Sequence, residues 1–261
     1  MELRSLPLFV AAIGSALVFV HGQSESRPDL QFEVVSIKPA TPQLGGGRIN
    51  PLPGGQTYCA QAITVKSIVM LMYKLKPEQI SGGPAWIDHE VYDIEAKAAR
   101  PSSLDDLHAM FKNLLASEFK LKLHKETKEG PVYALIVDKS GLKMKVNETE
   151  NVDLKTPMTA TGFGKAKGVR VPMSYFCWFL SFQVDRPVID KTGLGKYYDF
   201  TLEWDRALPP GDPERDSAPP PNYDAPTIFD AIRGQLGLKL EPQKGPMEIF
   251  VIDHVERPVA N

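Results

Sequence analysis

The chain has 261 residues, 30 Lys+Arg against 32 Asp+Glu for a formal net charge of -2, and 43% hydrophobic and 24% charged residues. That length holds one compact unit or two small ones, and the balanced charge offers no basic field for a phosphate backbone, so nucleic acid is not an expected partner. The composition excludes wholesale disorder, a multi-span membrane protein and a coiled coil, and the 2 cysteines exclude a disulfide-framed miniprotein and a four-thiolate zinc site.

Residues 6–20, LPLFVAAIGSALVFV, form an apolar run behind a short head carrying Arg4, and Val20 and Gly22 follow at cleavage-like spacing. This predicts a signal peptide over residues 1–22. The run is shorter than the about 20 residues of a spanning helix, and no later segment is a candidate span, so no membrane span is expected after cleavage and the expected location is periplasmic or secreted. An oxidising compartment permits a disulfide between Cys59 and Cys177, worth about 4 to 5 kcal/mol in the chain-entropy model. The other reading makes Cys177 a buried thiol, because Met173, Phe176, Cys177 and Leu180 share a helical stripe.

In chain order, FEVVSIK from Phe32 reads as a strand, and the Gly- and Pro-rich residues 41–56 as an exposed loop. Thr64 caps a helix that places Val65, Ile68, Met72 and Leu75 on one face. After a Gly-Gly-Pro turn at residues 82–84, residues 92–96 form a strand. Ser103 caps a second helix, with Asp106 at its third position and a stripe of Leu104, Leu107, Phe111, Leu114 and Leu115. A strand through Leu121 and Leu123, a polar turn at KETKEG (residues 125–130) and a strand VYALIV (residues 132–137) are expected next.

The second half repeats this order. PMSYFCWFLSFQ from Pro172 is helix-like, VID at residues 188–190 and YDFTLEW at residues 198–204 are strands, and a helix through Ile228, Phe229, Ile232 and Leu236 stops at Gly237. LKLE and MEIFVID then read as a hairpin. Leu121, Leu123, Pro131 and Asp138 align with Leu238, Leu240, Pro246 and Asp253, and Tyr92-Asp93 with Tyr198-Asp199. The expected fold is therefore α+β, in two tandem repeats of approximately α-β-β-α-β-β with helices packed on small mixed or antiparallel sheets. The first unit covers residues 23–146 with an extra amino-terminal strand, residues 147–168 connect, and the second unit covers residues 169–261 with a proline-rich insertion at residues 207–226.

FEVVSIKP at residues 32–39, ISGGPAWIDHEVYDIEAKA at residues 80–98, LLASEFKLKLHKETKEGPVYALIVDKSG at residues 114–141, RPVIDKTGLGKYYDFTLEW at residues 186–204 and QLGLKLEPQKGPMEIFVIDHVERP at residues 235–258 carry a resemblance. In these strings the chain resembles the secreted "soil-associated" proteins of unknown function found chiefly in Acidobacteria. Related domains of that family are sometimes fused behind antibiotic-sensor-type membrane metallopeptidases, so the resemblance implies envelope sensing. This chain carries no H-E-x-x-H of its own. More distantly, the element order is similar to the short periplasmic domains of secretins and TonB-dependent receptors, an analogy of fold alone.

Candidate chemistry is sparse. Ser140-Gly-Leu-Lys143 and Lys191-Thr192-Gly193 match S-x-x-K and K-T-G formally, but Ser140 follows a strand instead of opening a helix, and the second string reads as a tight turn. GFGKAKG at residues 162–168 lacks the G-K-[ST] of a phosphate loop and reads as connector. His89, His108, His124 and His254 have no metal-ligand spacing, so no metal or organic cofactor is expected. The paired Tyr-Asp motifs read as structural hydrogen bonds. Trp178 reads as core and Trp86 as an exposed recognition residue. The sequence thus points to a non-catalytic binding or interaction module that takes an unknown envelope protein or glycan through its sheet edges or the groove between its units. The alternatives are a hydrolase whose residues meet only in three dimensions, with Asp190, His124 and Asp253 as candidates, and a passive structural protein of the envelope.

Overall fold

The computed structural model describes residues 30–43, 46–149, 157–205 and 225–259. The expected signal at residues 1–22 and nearly all of the insertion at residues 207–226 lie outside the described residues. The first half contains β1 (Val34–Pro39), β2 (Arg48–Pro51), β3 (Thr57–Thr64), α1 (Val65–Tyr73), β4 (Ile80–Gly82), β5 (Val91–Lys97), α2 (Leu104–Glu118) and β6 (Lys122–Val137). The second contains β7 (Lys145–Val146), β8 (Met158–Gly162), β9 (Lys165–Val171), α3 (Met173–Gln183), β10 (Val188–Asp190), β11 (Tyr198–Glu203), α4 (Ile228–Ala231) and β12 (Leu238–His254). The fold is α+β, with helices packed, among the described residues, on three sheets of four strands each.

The helices form where side chains close their ends and apolar stripes meet a core. The Thr64 hydroxyl accepts the Ser67 N–H to open α1, and Ser103 accepts the Asp106 N–H to open α2, each replacing a backbone acceptor that the first turn lacks. Val65, Ile68 and Met72 of α1 and Leu107, Phe111 and Leu115 of α2 are buried in one core with Tyr58, Ile94 and Phe119. A second core gathers Phe176 and Leu180 of α3, Phe200 and Leu202 of β11, and Ile228 and Ile232. A π-turn over Ile232–Leu236 continues α4, and Gly237 ends it at φ 68°, where a Cβ would stand 1.8 Å from the Gly141 carbonyl oxygen. Only glycine fits there.

The first sheet runs β1-β5-β3-β2 and is antiparallel throughout. Another runs β7-β11-β9-β8, also antiparallel. In each, one residue of an inner strand turns left-handed: Ala62 at φ 48° in β3 and Arg170 at φ 52° in β9. The N–H freed at each irregularity is taken by an aspartate of the neighbouring strand, Asp93 Oδ1 for Ala62 and Asp199 Oδ1 for Arg170, both at 2.8 Å. These are the aspartates of the two Tyr-Asp motifs, and they satisfy backbone donors that the ladder leaves over.

The remaining sheet joins the halves and corrects the expected hairpins. KETKEG is not a turn: β6 and β12 are each single long strands, paired antiparallel from Leu238↔Val137 to His254↔Lys122, with Gly130 opposite Gly245. β4 lies parallel to β12, and β10 lies parallel to β6, giving the order β10-β6-β12-β4. Each short strand therefore pairs with the long strand of the other half. Phe250 and Ile252 of β12 enter the first core and Leu238 and Leu240 the second. A strand that spans two cores is apolar at both ends and polar between them, and in sequence that polar middle resembles a turn. Residues 147–168, expected as a connector, include β8 and part of β9, and GFGKAKG closes their hairpin with Gly164 at φ 64°.

Candidate functional site

A cleft of about 230 Å³ opens where the halves meet. Lys74, left-handed at φ 55°, ends α1 by donating its N–H to the Leu71 and Met70 carbonyls, so the chain turns and carries Tyr73, Lys74 and Leu75 to the cleft wall. The facing wall is α3, whose Ser174, Cys177, Trp178 and Ser181 fall on one helical face. Residues 187–190 at β10 and residues 246–248 in the middle of β12 close the rest.

Several lining groups are already committed to holding the fold. The Trp178 indole N–H donates to the Leu75 carbonyl across the joint, at 3.4 Å. Ser181 donates to the Cys177 carbonyl at 2.8 Å and accepts the Val188 N–H at 2.9 Å, which fixes β10 on α3. Gln79 donates to the Glu248 carbonyl at 3.0 Å and accepts the Lys76 N–H. Burial pushes the Tyr73 phenol up to about 12, and burial, helped by Asp190, pushes the Cys177 thiol up. Both stay protonated near neutral pH, so Cys177 has little thiolate with which to attack anything.

The three sequence candidates for hydrolysis are divided. Asp190 lines the cleft, where its Oδ1 accepts the Thr192 N–H at 2.9 Å and hydroxyl at 2.7 Å in the turn that Lys191-Thr192-Gly193 makes. His124 and Asp253 meet elsewhere, Nδ1 to Oδ1 at 2.8 Å across β6 and β12, with His124 half exposed. The hydrogen bond that the ring donates to Asp253 holds the imidazole above its usual pKa, and Glu126, 3.6 Å from Nε2, adds to this. Asp190 pairs with Leu135 on β6, so it lies eleven residues from His124, roughly 35 Å at the rise of an extended strand.

Cys59 on β3 and Cys177 in α3 are free thiols in this structure. Cys59 stands in the sheet of the first core and Cys177 is buried in the second, so the helical-stripe reading of Cys177 describes its place. Trp86 is half-buried under the Arg257 guanidinium, 5.1 Å from its ring, so that its candidate recognition face is occupied. The Asn147 side-chain amide donates to both Asp199 carboxylate oxygens at 2.9 Å. Lys143 of the S-x-x-K string donates to the Gly234 carbonyl at 2.8 Å. Among the described residues no group of three or more His, Cys, Asp or Glu is arranged to hold a metal ion, and no helix is long and apolar enough to cross a membrane.

Sequence reasoning missed Tyr73, Lys74 and Glu248 as site residues and placed Trp178 in the core. One signal was available: Ser174 and Ser181 flank Trp178 on a single helical face, and small polar residues on a tryptophan's face mark a stripe that is only partly packed.

Among the described residues, three small sheets, helices packed against them and a mixed polar and apolar cleft at their joint define an α+β protein. Residues 66–255 match the family described as "Protein of unknown function (DUF3738)", and the chain belongs to that family. No curated protein and no solved structure matches it.

Proposed function

We propose that the chain is an exported, non-catalytic binding module of the bacterial envelope, built by tandem duplication, whose ligand sits in the cleft between the copies. The single observation that carries this reading is the cleft itself, walled by α1 and β12 on one side and α3 and β10 on the other, since ligand sites concentrate at such joints. The duplication is supported by the matching strand orders β1-β5-β3-β2 and β7-β11-β9-β8 and by the two aspartates that do one job at Ala62 and Arg170. Export and a sensing role rest on the apolar amino-terminal run and on the resemblance to secreted soil-associated proteins.

The test offers immobilised protein bacterial envelope material fractionated into glycan and protein, beside a Ser174→Trp variant that fills the cleft from an exposed position. Retention by the native chain and its loss in the variant is the expected outcome. Equal retention by both, or none by either, sinks the reading.

A hydrolase is the second reading, favoured by the His124–Asp253 pair. Asp253 orients the ring as the acid member of a triad does, but Nε2, which would take a nucleophile's proton, faces Glu126 instead. Neither His124 nor Asp253 lines the cleft. Turnover of an ester or glycoside that disappears in His124→Gln would establish it in place of the binding module.

A further inference from the structure

The polar groups of the cleft that the fold leaves uncommitted or only partly used indicate what it binds. Setting aside Trp178 N–H, Gln79 and Ser181, there remain the Tyr73 hydroxyl, the Lys74 ammonium, the Ser174 hydroxyl, the Asp190 carboxylate and the Glu248 carboxylate. Among the described residues the first three carry no hydrogen-bond partner for those atoms, while Asp190 Oδ1 already accepts from Thr192 and Glu248 already pairs with Lys125, at 3.2 Å, each carboxylate keeping lone pairs for a further donor. Three donors and two acceptors therefore surround a floor of Pro187, Val188, Pro246 and Met247, with the indole of Trp178 on one wall.

Charge and size narrow the choice. One lining ammonium stands against two carboxylates, which opposes a phosphate or other anion, and the Lys74 ammonium in the same lining opposes a cation. A wholly apolar ligand would cover the unpartnered Tyr73, Lys74 and Ser174 groups without pairing any. A volume of about 230 Å³ lies below the range of about 300 to 1,000 Å³ typical of drug-sized ligands. An uncharged ring with hydroxyls on its rim and C–H bonds on its faces meets all of these conditions. We infer that the cleft takes one neutral sugar ring, a pyranose unit of a glycan, with Trp178 under its C–H face and Lys74, Ser174, Asp190 and Glu248 on its hydroxyls. This rests on the binding-module reading and names its ligand class.

The three tryptophans, Trp86, Trp178 and Trp204, give three indole N–H signals in a nitrogen-15 correlation spectrum, and Trp178→Phe identifies that of Trp178. The intact chain is titrated with methyl glucoside, N-acetylglucosamine and their β-linked dimers, and separately with putrescine and with inorganic phosphate. The expected result is a saturable shift of the Trp178 signal with at least one sugar in the millimolar range, none with putrescine or phosphate, and binding, followed by calorimetry, weakened about tenfold in Trp178→Ala. Asp190→Asn, an exposed change that keeps an acceptor for Thr192, gives the same weakening in a variant that keeps its fold. A Trp178 signal that moves with putrescine or phosphate and not with sugars overturns the sugar assignment and leaves a binding cleft in place. A signal that moves with none of the probes also overturns it, while the envelope-retention comparison with Ser174→Trp decides the module reading separately.

Discussion

The two antiparallel sheets differ in how they close one edge. In the first, β1 pairs with β5 over six residues, from Val34↔Lys97 to Pro39↔Tyr92. In the other, β7 reaches only Tyr198 and Asp199 of β11, and farther along the Gln235 side chain takes the role of a strand: its carbonyl accepts the Glu203 N–H at 3.0 Å and its amide donates to the Glu203 carbonyl at 2.7 Å. One side-chain amide presents the same donor and acceptor as a peptide unit, so a sheet edge can be finished without a strand. The halves also differ inside. The first core buries a histidine, His108, 3.0 Å from the Tyr58 hydroxyl, and the second buries a thiol and a serine, Cys177 and Ser181.

Gly237→Ala should break the second half most severely. It forces an L residue to φ 68° and drives its Cβ into the Gly141 carbonyl, costing about 4 kcal/mol or more, whereas Gly141→Ala, also at positive φ but with open space around it, should cost about 1 kcal/mol. Urea midpoints compare the two, and equal losses would refute the steric account.

His108 makes the first half acid-sensitive. Burial, with Lys74 and Lys112 adding, lowers its pKa to about 3. The unfolded chain takes up the proton below about pH 6.5 and the folded one does not, so stability present above that pH is lost as pH falls toward about 3, on the order of 3 kcal/mol by about pH 4. His108→Leu should flatten that part of the stability profile, and an unchanged slope would assign the sensitivity elsewhere.

The paired aspartates sharpen the comparison. Asp93→Ala leaves the Ala62 N–H unmet and should cost about 1 to 2 kcal/mol, while Asp199→Ala also strands Asn147 and should cost about 2 to 3 kcal/mol. A larger loss at Asp93 would reverse the ranking. Smallest is Gln235→Ala, about 1 kcal/mol, read as faster hydrogen exchange at the Glu203 amide.

Local features were legible in the sequence because local chemistry produces them. The hydroxyls of Thr64 and Ser103, the stripes of α1 and α2, and Gly237 announce themselves within a few residues. The long strands did not, because the polar stretch at residues 125–131 is explained only by its partner more than a hundred residues away. The cleft was hidden for the same reason: Tyr73, Trp178, Asp190 and Glu248 come from four distant segments, and none is distinctive beside its own neighbours. His124 and Asp253 could be nominated by type, but only the β6–β12 register brings them within 2.8 Å.

The exchange of short strands also governs the order of assembly. A growing chain that has released β4 and β6 holds two strands of the joining sheet that are not neighbours in it, since β12 lies between them. Until β12 emerges, β4 has nothing to pair with and β6 can gain only the three-residue β10. Such late, long-range closure is slow, so the layer that ties the two cores together is the last part of the polypeptide to be completed.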